Sequence, residues 1–379
     1  MILPGATLGI LGGGQLGQMF TLAARRMGYG VWVLDPDPDC PAAAVADHHL
    51  CAPYDDFSAL ELLADHCAAV TAEFENVPAS AMIYLEAQIP VRPGSTALAI
   101  AQDRAREKTF FQDIGLEVAP FALLRQEDDV ELAARQLSFP AILKTTRFGY
   151  DGKGQQNVGT ASELPVAWAR LNTPEAILES RINLVQEFSV VLARSLDGMM
   201  VFYPLAENRH HHAVLDLSIV PARIPEALQN QARQSAARIA EALNYVGVLA
   251  VEFFVVEEGR LLVNEMAPRP HNSGHFTMDA CVSSQFDQQV RALCGLSLAD
   301  TRLLSPVVMM NLLGDLWEED GPDWQKLFQH PQIKVHLYGK KEARPGRKMG
   351  HVNALSSDVE RALAVLETLR QDWNWPPAS

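Results

Sequence analysis

The chain has 379 residues, of which 48% are hydrophobic and 20% charged, with a formal net charge of −15. That length accommodates two or three domains with substantial cores, and the composition excludes a disordered chain. The acidic balance argues against a general nucleic-acid binder, whose phosphate affinity needs clustered Lys and Arg, but leaves room for small anions held by a few local cations.

In chain order, "TLGILGG" reads as a strand, "QLGQMFTLAARRMG" as a helix, "VWVLD" as a strand, "FSALELLADHC" as a helix and "AAVTAEFE" as a strand. This βαβαβ succession predicts a parallel sheet covered by helices over residues 1–100. Gly12, Gly14 and Gly17 have the G-x-G-x-x-G spacing after the first strand, and Asp35 ends the second. Alone, that spacing suggests a dinucleotide-binding oxidoreductase, but a single such match is a weak signal. A Pro- and Gly-marked boundary near residue 100 leads into a new helix through "AQDRAREKTFFQDIG".

From there to about residue 300, strand patterns dominate: "PAILKTT", "AILESRI", "EFSVVLAR", "MMVFYPLAE", "VGVLAVEFFVV" and "RLLVNEM", with the helix "EALQNQARQSAARIAEALN" between them. This is α+β construction. Residues 301–379 carry "VVMMNLLG" and "IKVHLYG" as strands, a basic stretch and a closing helix "SSDVERALAVLETLRQDW".

Cys40, Cys51, Cys67, Cys281 and Cys294 are an odd number with no C-x-x-C pair, a spacing that fits neither a disulfide framework nor a zinc site. A reducing, cytoplasmic setting is expected. No apolar run approaches the roughly 18 residues that span a bilayer, so no membrane partner is expected.

Four segments carry chemistry. In "VEFFVVEEGRLLVNEM" a two- or four-residue loop around Glu258-Gly259 pairs Glu252 with Glu265 on adjacent strands. Like charges so placed are destabilising by about 0.2–1 kcal/mol, and a divalent cation such as Mg²⁺ shared with phosphate reverses that sign. An odd-length loop would shift the register; the alternative reading is two glutamates on a solvated face. "PAILKTTRFGYDGKGQ" runs from a strand ending near Lys144 into a loop with Gly149, Gly152 and Gly154, whose backbone N–H groups suit phosphate oxygens. It lacks the Walker pattern, and an ordinary hairpin turn is the alternative. "NEMAPRPHNSGH" sets Arg269 and His271 beyond Glu265, a guanidinium suited to an anion, with His275 read as structural. "YGKKEARPGRKMGH" collects Lys340, Lys341, Arg344, Arg347 and Lys348 in an acidic chain, either a solvated face or a seat for an anionic group.

With "ILGGGQLGQM", "TAEFENVP", "ENRH" and "LDLSIVPA", these segments resemble the ATP-grasp superfamily, and within it the 5-(carboxyamino)imidazole ribonucleotide synthase family. The resemblance runs through nearly the whole chain. It implies an N-terminal Rossmann-like (pre-ATP-grasp) domain over 1–100, an ATP-grasp domain over 101–300 with a mobile lid about 120–190, and a small C-terminal domain over 301–379. It implies ATP- and bicarbonate-dependent carboxylation of aminoimidazole ribonucleotide, with ATP as co-substrate, Mg²⁺ (or Mn²⁺) as cofactor and a homodimer.

By the same resemblance Arg104 and Lys144 contact ATP phosphates and Gly149, Tyr150, Asp151, Gly152, Lys153, Gly154 and Gln155 close over them. Glu179, Ser180, Arg181 and Ile182 form the adenine hinge, Glu187 takes the ribose, and His210 completes the nucleotide site with Asn264 and Glu265. Glu252 and Glu265 hold the metal. Tyr150, Asp151, Lys153, Arg269, His271, Lys340 and Arg347 surround the ribonucleotide and the reacting carboxyl group. Asp151, Lys153 and Arg269 are the catalytic candidates, and Gln15, Glu73, Glu75 and Asn76 line the ribonucleotide side. Ala267 stands where many ATP-grasp enzymes place Asn, so Asn264 or Asn272 is expected to supply that contact. His211 and His212 are expected to be exposed.

Overall fold

Strands β1 (Thr7–Leu11), β2 (Gly30–Leu34), β3 (His48–Leu50) and β4 (Ala69–Ala72) form a parallel sheet in the order β3-β2-β1-β4. β1 and β4 are apolar along most of their length because both faces are covered. The computed structural model describes residues 1–147, 154–317 and 321–375.

The glycine turn after β1 leads into the helix Gln15–Arg26, and its anion seat is filled from within the chain. Backbone N–H groups of Gly14 and Gly17 donate to the two oxygens of Glu73 at 2.6 and 2.5 Å. Gly13 N–H donates to Asp35 Oδ2 at 2.6 Å, and the Tyr54 hydroxyl donates to the same oxygen at 2.7 Å. The helix N-terminus attracts an anion, and here that anion is a side chain, with Asp35 engaged as well. A Cβ on Gly14 would fall 2.5 Å from Glu73 Oε1, so the glycine makes room for the carboxylate. On Gly17 it would meet Gly12 O at 2.4 Å. Gly17→Ala is therefore expected to cost about 1–3 kcal/mol by overpacking, read as a lower denaturant midpoint; an unchanged midpoint would contradict this packing.

A second sheet contains β5 (Phe121–Leu124), β6 (Ala141–Thr145), β7 (Gln155–Val158) and β8 (Ala176–Ser180), antiparallel in the order β5-β8-β6-β7. Helices Glu127–Gln136 and Leu164–Leu171, which the sequence reading did not anticipate, bury Val130, Ala133, Leu164 and Ala167 against Leu143 and Leu178.

The third sheet has nine strands among the described residues: β9 (Leu184–Arg194), β10 (Met200–Phe202), β11 (Ala206–His211), β12 (Val214–Val220), β13 (Gly247–Val256), β14 (Leu261–Ala267), β15 (Val307–Leu313), β16 (Ile333–Leu337) and β17 (Lys348–Leu355). Their order is β14-β13-β9-β11-β12-β15-β17-β16, with β10 beside β9. The expected single strand "MMVFYPLAE" is thus two strands. Pro204, which has no N–H to donate, lies in the break between them. The C-terminal strands extend the same sheet, since β12 pairs with β15.

Helix Gln285–Cys294, also unanticipated, joins the first sheet to the third. Its Phe286, Val290, Leu293 and Cys294 pack into the core around β1 and β2. The Gln289 amide donates to Thr71 Oγ1 at 2.9 Å and accepts from Val248 N–H at 2.7 Å. The helix Val359–Asp372 covers β15 and β17, and its Arg370 forms a buried ion pair with Asp216 of β12.

Candidate active site

Strands β13 and β14 bring two carboxylates together by a route the sequence did not reveal. The turn between them is a three-residue 3₁₀ segment, Glu257–Gly259, rather than a two- or four-residue loop. Val256 N–H donates to Arg260 O, and Phe253 pairs with Val263, one residue out of the expected register. A bulge then leaves Asn264 as an extra residue on β14 and restores Glu252 opposite Glu265. Burial pushes the Glu252 carboxyl up to about 7, the charge of Glu265 adds to that, and a hydrogen bond from Asn264 opposes it. Glu107, on the helix Arg104–Asp113, accepts from Met266 N–H at 2.8 Å. Burial and the Glu265 charge push it up to about 8. This is an acidic centre short of positive charge.

Cations stand along one side of it. Arg104 reaches Glu265 at 3.4 Å, and Lys144 on β6 bonds Glu179 at the end of β8 at 2.9 Å. Lys108, only 3% exposed, lies 3.9 Å from the same Glu179 oxygen. Burial raises the Glu179 pKa, but Lys108 and Lys144 together override it and hold the carboxyl at about 2. Lys108 escaped the sequence reading although it lies four residues after Arg104, hence on the same helical face. Glu187 of β9 and His210 of β11 meet at 2.5 Å. Burial disfavours the imidazolium, and Glu187 more than compensates, so His210 is shifted upward. Glu179 and Ser180 are buried, while Arg181 is exposed and Ile182 half-buried. Gly154 O accepts from Thr145 N–H, and Gln155 opens β7. Gly149, Tyr150, Asp151, Gly152 and Lys153 lie outside the described residues. His212 is exposed and His211 partly so.

Beyond β14 the chain bends at Pro268 and Arg269, whose N–H donates to Ala267 O at 2.8 Å, and enters a cavity of about 250 Å³ lined by Gln15, Glu73, Arg269, His271, Asn272 and Lys348. Arg269 Nε donates to Glu75 at 2.7 Å. Burial would raise the Glu75 pKa, and the Arg269 charge reverses this. His271 Nε2 lies 3.6 Å from Glu252 Oε1, so the cavity and the acidic centre share a wall. Lys340 donates to Lys348 O at 2.8 Å and Arg347 to Glu342 O at 2.7 Å. Of this basic run it is Lys348, not assigned from sequence, that lines the cavity. His275 is fully buried, stacked on His351 at 4.6 Å and bonded to Gln285, deeper than the cavity.

The fold and this site define the class. The ribonucleotide synthetase preATP-grasp domain matches residues 5–102, the ATP-grasp domain residues 109–286, and the phosphoribosylaminoimidazole carboxylase C-terminal domain residues 307–365. The chain is 46% identical over 355 residues to the N5-carboxyaminoimidazole ribonucleotide synthase of Bacillus subtilis (strain 168), covering 93% of this chain and 92% of that protein. It superposes on the crystal structure of an ADP complex of N5-carboxyaminoimidazole ribonucleotide synthetase with a TM-score of 0.93 at 44% identity, covering 99% of this chain and 98% of the other. The Aspergillus clavatus enzyme, solved with ADP and 5-aminoimidazole ribonucleotide, gives a TM-score of 0.88 at 28% identity, covering 97% and 98%. The chain belongs to the N5-carboxyaminoimidazole ribonucleotide synthase family.

Proposed function

We propose that this chain carboxylates 5-aminoimidazole ribonucleotide with ATP and bicarbonate, releasing ADP and phosphate, as a step of purine nucleotide synthesis. The observation that carries this reading is the shared wall. Glu252, opposite Glu265, faces His271, which lines the same cavity as Arg269 and Lys348. The Aspergillus clavatus relative, bound to ADP and 5-aminoimidazole ribonucleotide, supports both ligands.

On this reading Arg104, Lys144 and the Gly149–Gln155 loop hold the phosphates. Backbone groups of Glu179 to Ile182 take the adenine, Glu187 takes the ribose, and His210 completes the nucleotide site. The carboxylate pair fits a divalent cation, because Glu252 and Glu265 stand opposite each other on β13 and β14 as like charges with hard oxygen donors. Glu252 and Glu265 would hold Mg²⁺, or Mn²⁺, which offsets charge on the transferred phosphoryl group. A bicarbonate oxygen attacks the γ-phosphorus, ADP departs, and the resulting carboxyphosphate breaks down to CO₂ and phosphate. The exocyclic amine of the ribonucleotide attacks the CO₂ carbon, with Asp151 taking the amine proton. Arg269 orients the bicarbonate, and Lys153 offsets charge on the phosphates. Tyr150, His271, Lys340, Arg347 and Lys348 bound the substrate. Division into residues 1–100, 101–300 and 301–379, with a lid about 120–190, a homodimeric state and a cytoplasmic setting belong to the same proposal.

Phosphate release from ATP and bicarbonate is expected to rise on adding aminoimidazole ribonucleotide, with a product heavier by one carboxyl group. A nicotinamide absorbance change without phosphate release would overturn the reading. Lys348→Ala is expected to raise the KM for the ribonucleotide about tenfold or more by loss of a charged contact, with the KM for ATP little changed. Lys340→Ala and Arg347→Ala are expected to act in the same direction. Equal effects on both KM values would remove the basic run from the substrate side.

A further inference from the structure

The ring of His271 is oriented by groups not yet given a role. Its Nδ1 lies 2.8 Å from Ser273 Oγ and 3.3 Å from the Ser273 backbone nitrogen, which donates to it. A backbone N–H can only donate, so Nδ1 is the acceptor and carries no proton. The Ser273 hydroxyl then serves as a second donor to the same nitrogen, and its own oxygen accepts from Ser189 Oγ at 2.7 Å. Both hydroxyls are buried, and Ser189 stands on β9 directly opposite Glu252 on β13. Gln285 fixes the backbone of the segment: its Oε1 accepts from His271 N–H and its Nε2 donates to His271 O, both at 2.8 Å. An imidazole whose Nδ1 accepts from a backbone N–H has at most one ring proton. The one ring proton therefore sits on Nε2, the nitrogen 3.6 Å from Glu252 Oε1. With the other tautomer, a lone pair would face that carboxylate.

We propose that Ser189 and Ser273 are positioning residues that hold His271 as the Nε2–H tautomer, making it a fixed hydrogen-bond donor to an anionic oxygen of the bound carboxyl or phosphoryl group and not the base for the amine proton. This role rests on the carboxylation reading. A neutral donor aimed in advance stabilises developing oxyanion charge without reorganising at the moment of reaction. The serine chain aims it from the side away from substrate.

The test uses the full chain labelled with ¹⁵N-histidine, the His271 signals being assigned by their loss in His271→Asn. Near neutral pH, Nε2 is expected to show the pyrrole-type shift and Nδ1 the pyridine-type shift. Ser273→Ala loses the 2.8 Å hydroxyl contact and keeps the longer 3.3 Å backbone one, so it is expected to move the ring only partway toward a mixture of tautomers and to lower kcat for ribonucleotide-stimulated phosphate release about five- to tenfold, the worth of one buried hydrogen bond. The KM for ATP should stay within about twofold, and Ser189→Ala should give a smaller loss in the same sense. A wild-type ring protonated on Nδ1 or on both nitrogens would overturn the proposal. So would variants that melt like the wild type and keep both tautomer and kcat. If Ser273→Ala does not fold, Ser189→Ala, one bond further from the ring, decides. Failure of the carboxylation reading looks different: wild-type protein would release no ribonucleotide-dependent phosphate, whatever the tautomer.

Discussion

Glu265→Gln is expected to lower ATP-dependent phosphate release by about 10³-fold while leaving the cation-free protein more stable. The two effects have opposite signs for one reason. Glu265 faces Glu252 across β13 and β14 and raises the pKa of both Glu252 and Glu107. Removing its charge relieves a cross-strand repulsion of about 0.2–1 kcal/mol at nearly constant side-chain volume. Its ion pair with Arg104 is long, 3.4 Å, and the Glu265 side chain is 42% exposed, so breaking that pair gives little back. The measurements are phosphate release at saturating ATP and thermal melting without divalent cation. A variant that turns over normally would remove Glu265 from phosphoryl transfer, and one that melts well below wild type would show that the facing carboxylates are not a net repulsion.

Arg269→Met is expected to lower kcat for carboxylation by about 10²–10³-fold with the KM for ATP unchanged. Arg269 stands in the cavity and is tied to Glu75 at 2.7 Å, so its guanidinium is aimed before any substrate arrives. The substitution also leaves Glu75 without the charge that depresses its pKa. Side chains 18% and 28% exposed keep some access to water, so the stability loss should be about 1–2 kcal/mol, below that of a sealed pair. Product formation and ATP KM measured on the same preparation decide the matter. A parallel rise in the ATP KM would place Arg269 on the nucleotide side.

The parallel sheet and the glycine turn that follows its first strand were legible because each is local: a periodicity and a spacing. Pairing of Glu252 with Glu265 was legible only in outcome. Two departures, the three-residue turn and the bulge at Asn264, cancel each other, and neither leaves a mark in a strand pattern. What the sequence hid is what depends on distant partners. Lys108 reads as one more charge on a helix until Glu179, far along the chain, is brought to it. Lys348 is one of several neighbouring cations, and only the strand it opens selects it for the cavity. Helix Gln285–Cys294 has an apolar stripe of Phe286, Val290, Leu293 and Cys294, but its polar side is buried as well, because Gln285, Gln288 and Gln289 bond backbone groups of distant segments. The G-x-G-x-x-G spacing misled in an instructive way: the turn does bind an anion, but the anion is Glu73.

The continuity of β12 with β15 bears on how the molecule can be dissected. Cutting the chain near residue 300 would strip β12 of its neighbour and bare a row of backbone amides and carbonyls along seven mostly apolar residues. It would also strand Asp216 without Arg370. Such an exposed edge recruits other chains, so the shortened protein should precipitate rather than survive as a smaller nucleotide-binding unit. The C-terminal strands and their helix are a wall of the building, not an annex to it.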